Sequence, residues 1–210
     1  MLLFLDLVTS GLLRSELPLG HSSQPWALKI AGELSDAQGN RISAIDMLIK
    51  AEGRTVKPQA KNIHGVEERS CEQLGVKQNA VLALISDLAG KALRVVTYGE
   101  FDRRIVTSLL TNLEEQTRAR KGSFVGRWER PGLEFLNIQD PVCTRECGLL
   151  QKEKDTEEAQ LRWPTMEEAC AHLLPAPVEI DKADAWSGLN ATKSLFFELL
   201  KRGHFEQTAC

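Results

Sequence analysis

Residues 2–8 read Leu-Leu-Phe-Leu-Asp-Leu-Val, an apolar run interrupted once, by Asp6. A run that is apolar on both alternating faces predicts a strand covered on both sides, the central strand of an α/β sheet. It does not read as a secretory leader: it has no basic n-region, it is too short, and Asp6 breaks it. Thr9-Ser10-Gly11 ends the strand, and the rest of the chain must supply its neighbours.

After a loop closing on Gln24-Pro25, residues 27–34 alternate loosely, with Leu28, Ile30 and Gly32 set against Lys29, Ala31 and Glu33. The segment 36–40, Asp-Ala-Gln-Gly-Asn, is turn chemistry, and residues 42–49 return as a third strand. The first 50 residues thus predict a three-strand antiparallel meander. Residues 57–72 read as polar and irregular. Val81, Leu82, Leu84, Ile85 and Leu88 form a helical stripe within 76–88. Next come a short strand over 93–96 and a helix over 101–113. The segment 118–130 interleaves Arg118, Arg120, Lys121, Arg127 and Arg130 with Phe124 and Trp128. A strand over 133–138, short helices over 144–150 and 166–174, a charged run over 153–158 and a closing helix over 184–202 complete the chain. Strands first, then alternating helices and strands, imply an α/β fold: a mixed sheet, the meander plus parallel strands, flanked by helices.

The chain has 210 residues, enough for one domain with a full core, read as 1–203 with a tail at 204–210. The net charge of −3 argues against a partner held by bulk positive charge, so a nucleic-acid contact would need a local basic patch. No stretch approaches the roughly 18 apolar residues of a membrane span. Five scattered cysteines, an odd number, point to a reducing, cytoplasmic setting rather than a disulfide framework. Cys143 and Cys147 with Cys170 and His172 lack zinc-site spacing, since residues i and i+2 of a helix point to different faces. Free thiols are expected.

Seven segments in order resemble the DnaQ-like 3′–5′ exonucleases, an RNase H-like group typed by four acidic residues and a histidine. Residues 4–11, Phe-Leu-Asp-Leu-Val-Thr-Ser-Gly, look like the first motif, usually FLDxETTG. The stretch from Gln24 through Leu34 and the turn at 36–40 resembles the second and third strands. Ile63-His64-Gly65-Val66 resembles the IHGI loop. Tyr98-Gly99-Glu100-Phe101-Asp102 looks like the second motif, Val142-Cys143-Thr144 like the segment after the next strand, and residues 163–169 like the helix before the third motif. Residues 183–192, from Ala183 to Thr192, align with HxAxxDxxAT.

The resemblance implies an RNase H-like fold and a phosphodiester-cutting ancestry in which two cations are held by carboxylates, one activating water and the other stabilising the leaving oxygen. At the implied positions Asp6 and Asp102 remain. Val8 stands at the glutamate position, Ala183 at that of the histidine base, and Gly188 at that of the third-motif aspartate. Loss of a general base alone typically costs about 10²–10⁴-fold. Two carboxylates out of four leave little to position a cation pair, so the cofactor expectation is none, or weakly bound Mg²⁺ or Mn²⁺. The metal candidates are Asp6, Asp102 and Asp184. Asp184, four residues before Gly188, shares its helix face about 6 Å away; its alternative role is a helix N-cap. His64 falls in a loop that lies near the substrate strand in relatives, with a structural hydrogen bond as the other reading. His204 is too far along the chain to replace the base unless the tail folds back.

The implied function is that of a pseudo-exonuclease, binding single-stranded DNA or RNA or a protein partner, with no membrane role. The nucleic-acid contacts expected are His64, Arg118, Arg120, Lys121 and Arg127, with Phe124 and Trp128 as stacking platforms or, equally, an ordinary solvated segment. The alternatives are a slow metal-dependent exonuclease using Asp6, Asp102 and Asp184, and a structural subunit of a nucleic-acid-processing complex.

Overall fold

The structure, a computed structural model, describes residues 1–18, 21–117, 124–139, 146–147, 150–152, 159–161 and 163–205. Strand β1 (Leu2–Thr9) is central in a five-stranded sheet of order β3-β2-β1-β4-β5, where β2 is Ala27–Ser35, β3 Arg41–Leu48, β4 Arg94–Thr97 and β5 Glu134–Asn137. The pairs β1–β2 and β2–β3 are antiparallel, and β1–β4 and β4–β5 are parallel. The meander and the parallel strands expected from the sequence are both present. The apolar run owes its character to burial: Leu2, Leu3, Phe4 and Leu5 are each at most 2% exposed.

Side-chain alternation along β1 divides it between two helical layers. Leu3 faces the side of α3 (Gln78–Lys91), where a methyl on Gly32 would meet Ile85 and Leu3. Phe4 faces the long closing helix, packing its ring against Phe196 and Phe197. Asp6 and Val8 come after Phe4 on that same face. The parallel pairing with β4 reaches only Phe4↔Val96, so Asp6 stands beyond the paired end of β4. There the chain turns through Gly99, in the left-handed region at φ 92°, into α4 (Phe101–Thr117). Asp102 therefore enters at the start of α4, beside the end of β1.

Residues 57–72, read as irregular, contain two short helices, α1 (Pro58–His64) and α2 (Glu68–Leu74). Each buries one residue, His64 or Cys71, so neither leaves an apolar stripe in the sequence. The boundaries of α1 come from backbone chemistry: proline opens its first turn, and Gly65 at φ 69° closes it in a conformation glycine adopts without strain.

Residues 124–130 contain the single turn α5 (Val125–Trp128). The helix expected over 144–150 is described only at Glu146 and Cys147, which are helical; Leu150 instead begins β6 (Leu150–Lys152), paired antiparallel with β7 (Ala159–Leu161). The charged run 153–158 and the motif segment 142–144 lie outside the described residues.

The last two helices are α6 (Met166–Leu173), opened by a Thr165–Glu168 capping box, and α7 (Ala185–Lys201), which crosses β1 and β2. The expected tail begins by folding back: Phe205 stacks on Phe196 and the His204 ring nitrogen Nε2 lies 2.9 Å from Glu146. Cys71, Cys147 and Cys170 are free thiols. No helix among the described residues is long and apolar enough to cross a membrane.

Candidate functional site

Three elements meet around Asp6. Gly188, in the first turn of α7, lies directly against its carboxylate: a Cβ at 188 would sit 2.5 Å from Oδ2, 2.7 Å from Cγ and 2.8 Å from Oδ1. Asp102 is 6% exposed and near enough for its charge to couple to that of Asp6. Burial pushes the Asp6 carboxyl up to about 8, and the negative charge of Asp184 adds to the rise. Burial, then the charge of Asp6, holds Asp102 well above the carboxylate range. Two carboxylates brought together away from water resist simultaneous ionisation.

Asp184 occupies the N-cap position of α7, but its side chain makes no cap hydrogen bond. Its carboxylate is taken by the Lys29 ammonium from β2, which also lies 3.5 Å from Asp46. Burial raises the Asp184 carboxyl, but the Lys29 hydrogen bond and charge outweigh it and leave it below its ordinary value. Sequence spacing implied a helix face shared with Gly188, but Asp184 precedes the helix with extended backbone, and Lys29 from a distant strand holds its carboxylate. Among the described residues no group of three or more His, Cys, Asp or Glu side chains is placed to hold a metal ion. The expected trio Asp6, Asp102 and Asp184 is thus not gathered into one ligand set.

Beside these carboxylates opens a cavity of about 460 Å³. Leu7, Val8, Leu12, Ile63 and Phe101 give it apolar walls, with Lys57 and Lys182 also contributing. Val8, the residue at the implied glutamate position, is one of those walls. Ala183 lies next to Lys182, its N–H donating to Asp181 Oδ1 at 2.8 Å. A second cavity of about 350 Å³ shares Leu12 and Phe101 with the first, and adds Tyr98, Arg104 and Trp163. Trp163 is 51% exposed. Its segment is pinned by Tyr98 Oη and Gln139 Nε2, which both donate to the Pro164 carbonyl, at 2.7 and 3.0 Å. Lys57 and Arg104 enter no ion pair with another described residue.

His64 lines the first cavity, but both ring nitrogens are engaged by backbone. Its Nδ1 accepts from the Val66 N–H at 3.0 Å, which leaves the proton on Nε2 to donate to the Thr9 carbonyl at 3.2 Å. Burial depresses its pKa, so the ring is a neutral brace between α1 and the end of β1, as the structural alternative expected.

Only part of the basic segment falls within the described residues. Arg118, Arg120 and Lys121 lie outside them. Arg127 approaches Asp87 at 3.8 Å. Trp128 is fully buried, its Nε1–H donating to Thr107 at 2.9 Å and its ring 5.0 Å from that of Phe135. It is core, not a stacking platform. The sequence reading gave no site role to the residues that line the groove: Leu12, Lys57 and Lys182, and Ile63, Phe101 and Trp163, which fall inside motif segments it quoted. Lys57 and Lys182 adjoin segments already singled out, which is the one signal that pointed toward them.

No protein-family model matches the sequence, and no curated protein matches it at a significant level. Among solved structures, the chain is similar to E. coli exonuclease I in complex with a dT13 oligonucleotide, with 20% identity and a TM-score of 0.66 over 95% of this chain. A product-bound exonuclease I gives 18%, 0.68 and 97%, and the moderately thermophilic exonuclease I of Methylocaldum szegediense gives 19%, 0.63 and 96%. The chain spans 40–44% of the length of these neighbours. At such identities the likeness establishes the fold alone, and that fold is the exonuclease, RNase H-like one.

Proposed function

We propose that this chain is a catalytically degenerate 3′–5′ exonuclease-like protein that binds single-stranded nucleic acid without cutting it. The observation that carries the reading is the contact between Gly188 and Asp6. The space in which a third-motif carboxylate would enter is taken by the Asp6 carboxylate itself, and Val8 puts an apolar wall where another ligand would stand. Hard divalent cations need several oxygen donors in fixed geometry. Asp6 and Asp102, with Asp184 turned to Lys29, do not fit a two-cation site. No histidine stands at 183 to take a proton from water, and the neutral His64 has both nitrogens in use.

The groove retains what strand binding needs. Two cavities that share Leu12 and Phe101 admit unstacked bases, the half-exposed Trp163 offers a ring for stacking, and Lys57 and Arg104 offer phosphates two cations that form no ion pair with a described carboxylate. The exonuclease I neighbours include complexes with single-stranded oligonucleotides, which supports this class of ligand.

The test is a labelled single-stranded oligonucleotide incubated with the protein and Mg²⁺ or Mn²⁺. The expected outcome is salt-sensitive binding, weakened by Lys57→Ala and Arg104→Ala, with no shortening of the strand. Degradation that Asp6→Ala abolishes would replace this reading with a slow metal-dependent exonuclease. Absence of both binding and degradation would replace it with a structural subunit.

A further inference from the structure

Behind the end of β1, on the far side of Lys57 from the groove, lies a separate cavity of about 540 Å³. It has three walls: residues 21–26, residues 53–57, and a strip of α4 that includes Ser108, Leu109, Asn112 and Gln116. Only Lys57 lines both this cavity and the first groove cavity. The Lys57 stem lies over Gly11, where a Cβ would come within 2.8 Å of its Cδ. Lys57 therefore stands at the boundary of the two spaces.

The walls are braced by side chains that use their polar atoms internally. Gln24 accepts from the Arg14 N–H and donates to the Arg14, Leu17 and Pro18 carbonyls at 3.0–3.2 Å. Trp26 Nε1 donates to the Thr55 carbonyl at 3.0 Å. Arg54 donates to the Ala51 and Lys50 carbonyls and to Gln78, with its guanidinium 4.4 Å over the Trp26 ring. These residues fix the shape of the cavity, and the Arg54 guanidinium is shared with Glu52, whose carboxylate lies 3.6 Å away.

The donors still uncommitted among the described residues point to one kind of ligand. They are the Lys57 ammonium, the amides of Asn112 and Gln116, the hydroxyls of Ser22 and Ser23, and His21. The Ser23 N–H donates to His21 Nδ1 at 3.1 Å, which places the ring proton on Nε2. No Asp or Glu among the described residues lines the cavity. A concave space rich in N–H and O–H donors, with the Lys57 ammonium and no carboxylate in its lining, is complementary to an anion. Its volume falls within the range of small-molecule pockets, roughly 300–1,000 Å³, and so leaves room for a polar body as well as the anionic group.

We infer that this cavity binds a phosphomonoester, a phosphorylated sugar up to the size of a nucleoside monophosphate. The phosphate lies toward Lys57, and the sugar lies toward Asn112, Gln116 and the serine loop. The site is distinct from the groove and does not depend on the groove holding nucleic acid.

The experiment is a titration of the ¹⁵N-labelled protein with inorganic phosphate, ribose 5-phosphate, a nucleoside 5′-monophosphate and the unphosphorylated nucleoside. The phosphorylated compounds are expected to shift the amides of Ser22, Ser23 and Thr55 and the side-chain amides of Asn112 and Gln116, saturably. The esters should bind more tightly than phosphate, and the bare nucleoside should leave these signals in place. His21→Ala and Asn112→Ala should each weaken ester binding by about tenfold, the loss of one hydrogen bond to a charged ligand, while oligonucleotide binding in the groove and the thermal midpoint stay unchanged. Shifts confined to groove residues such as Leu7 and Phe101, an equal response to the unphosphorylated nucleoside, or two variants that bind the ester like the wild type would each overturn the inference.

Discussion

Replacing Gly188 by alanine inserts a methyl group into the carboxylate of Asp6. In an ordinary helix interior the change would stabilise the protein by about 0.8–1.0 kcal/mol, because glycine is the poorer helix former. Here the new Cβ would meet three atoms of one short side chain at 2.5–2.8 Å. Asp6 projects from a strand whose backbone is paired to β2 at Ala31, so its carboxylate can retreat only by rotating about its own short side chain. Overpacking of this kind costs roughly 1–3 kcal/mol. The two effects predict that Gly188→Ala leaves the wild type between unchanged and about 2 kcal/mol less stable. In an Asp6→Ala background the three nearest atoms are gone, and the same substitution should stabilise by about 1 kcal/mol. Urea denaturation of the four proteins of this cycle, read as midpoints at constant slope, measures a coupling of roughly 1–3 kcal/mol. A gain of about 1 kcal/mol from Gly188→Ala in both backgrounds would refute the packing of Asp6 against α7 on which the reading of the site depends.

Two further outcomes arise from buried charge. Asp6, with its carboxyl pushed up to about 8, holds a proton in the folded state that the unfolded chain has released, so stability falls as pH rises from about 4 to about 8; Asp6→Asn should flatten that decline in thermal midpoints taken from pH 5 to pH 9, and an unaltered slope would show that Asp6 is ordinarily ionised. Glu33 is fully buried where β2 meets α7, its carboxylate shared by Lys193, Ser35 and Arg41, so Lys193→Met should cost about 3 kcal/mol, the low end for breaking a buried pair because Arg41 remains, and a midpoint within error of the wild type would show that Arg41 suffices.

The fold was legible where burial wrote itself into residue type. Both faces of β1 are covered, so residues 2–5 could only be apolar. The long helices α3, α4 and α7 each bury one face, so their stripes survive in the sequence. What failed was short or set by distant contacts. Helices α1 and α2 each bury a single side chain; α1 starts on a proline and both end at a glycine, which looks like loop chemistry when read alone. Trp128 sits among basic residues in the chain, and only the docking of α5 against α3 and α4 removes it from solvent. A local sequence window contains no trace of that docking.

The site divides in the same way. Asp6 and Asp102 could be named because each is tied to the end of a strand or the start of a helix, where sequence order fixes position. The i, i+4 rule implied a helix face shared with Gly188, but Asp184 stands before the helix with extended backbone; its partner comes from β2, 155 residues away, and no spacing rule reaches Lys29. That pairing has a chemical consequence. An aspartate bound by an ammonium is already neutralised, so a cation arriving at Asp6 and Asp102 would have to displace Lys29 to recruit it, and the displaced ammonium would then stand as a like charge beside the incoming metal. The interaction that holds the start of α7 is thus the one that withholds from Asp6 and Asp102 the acidic side chain nearest to Gly188 along the chain.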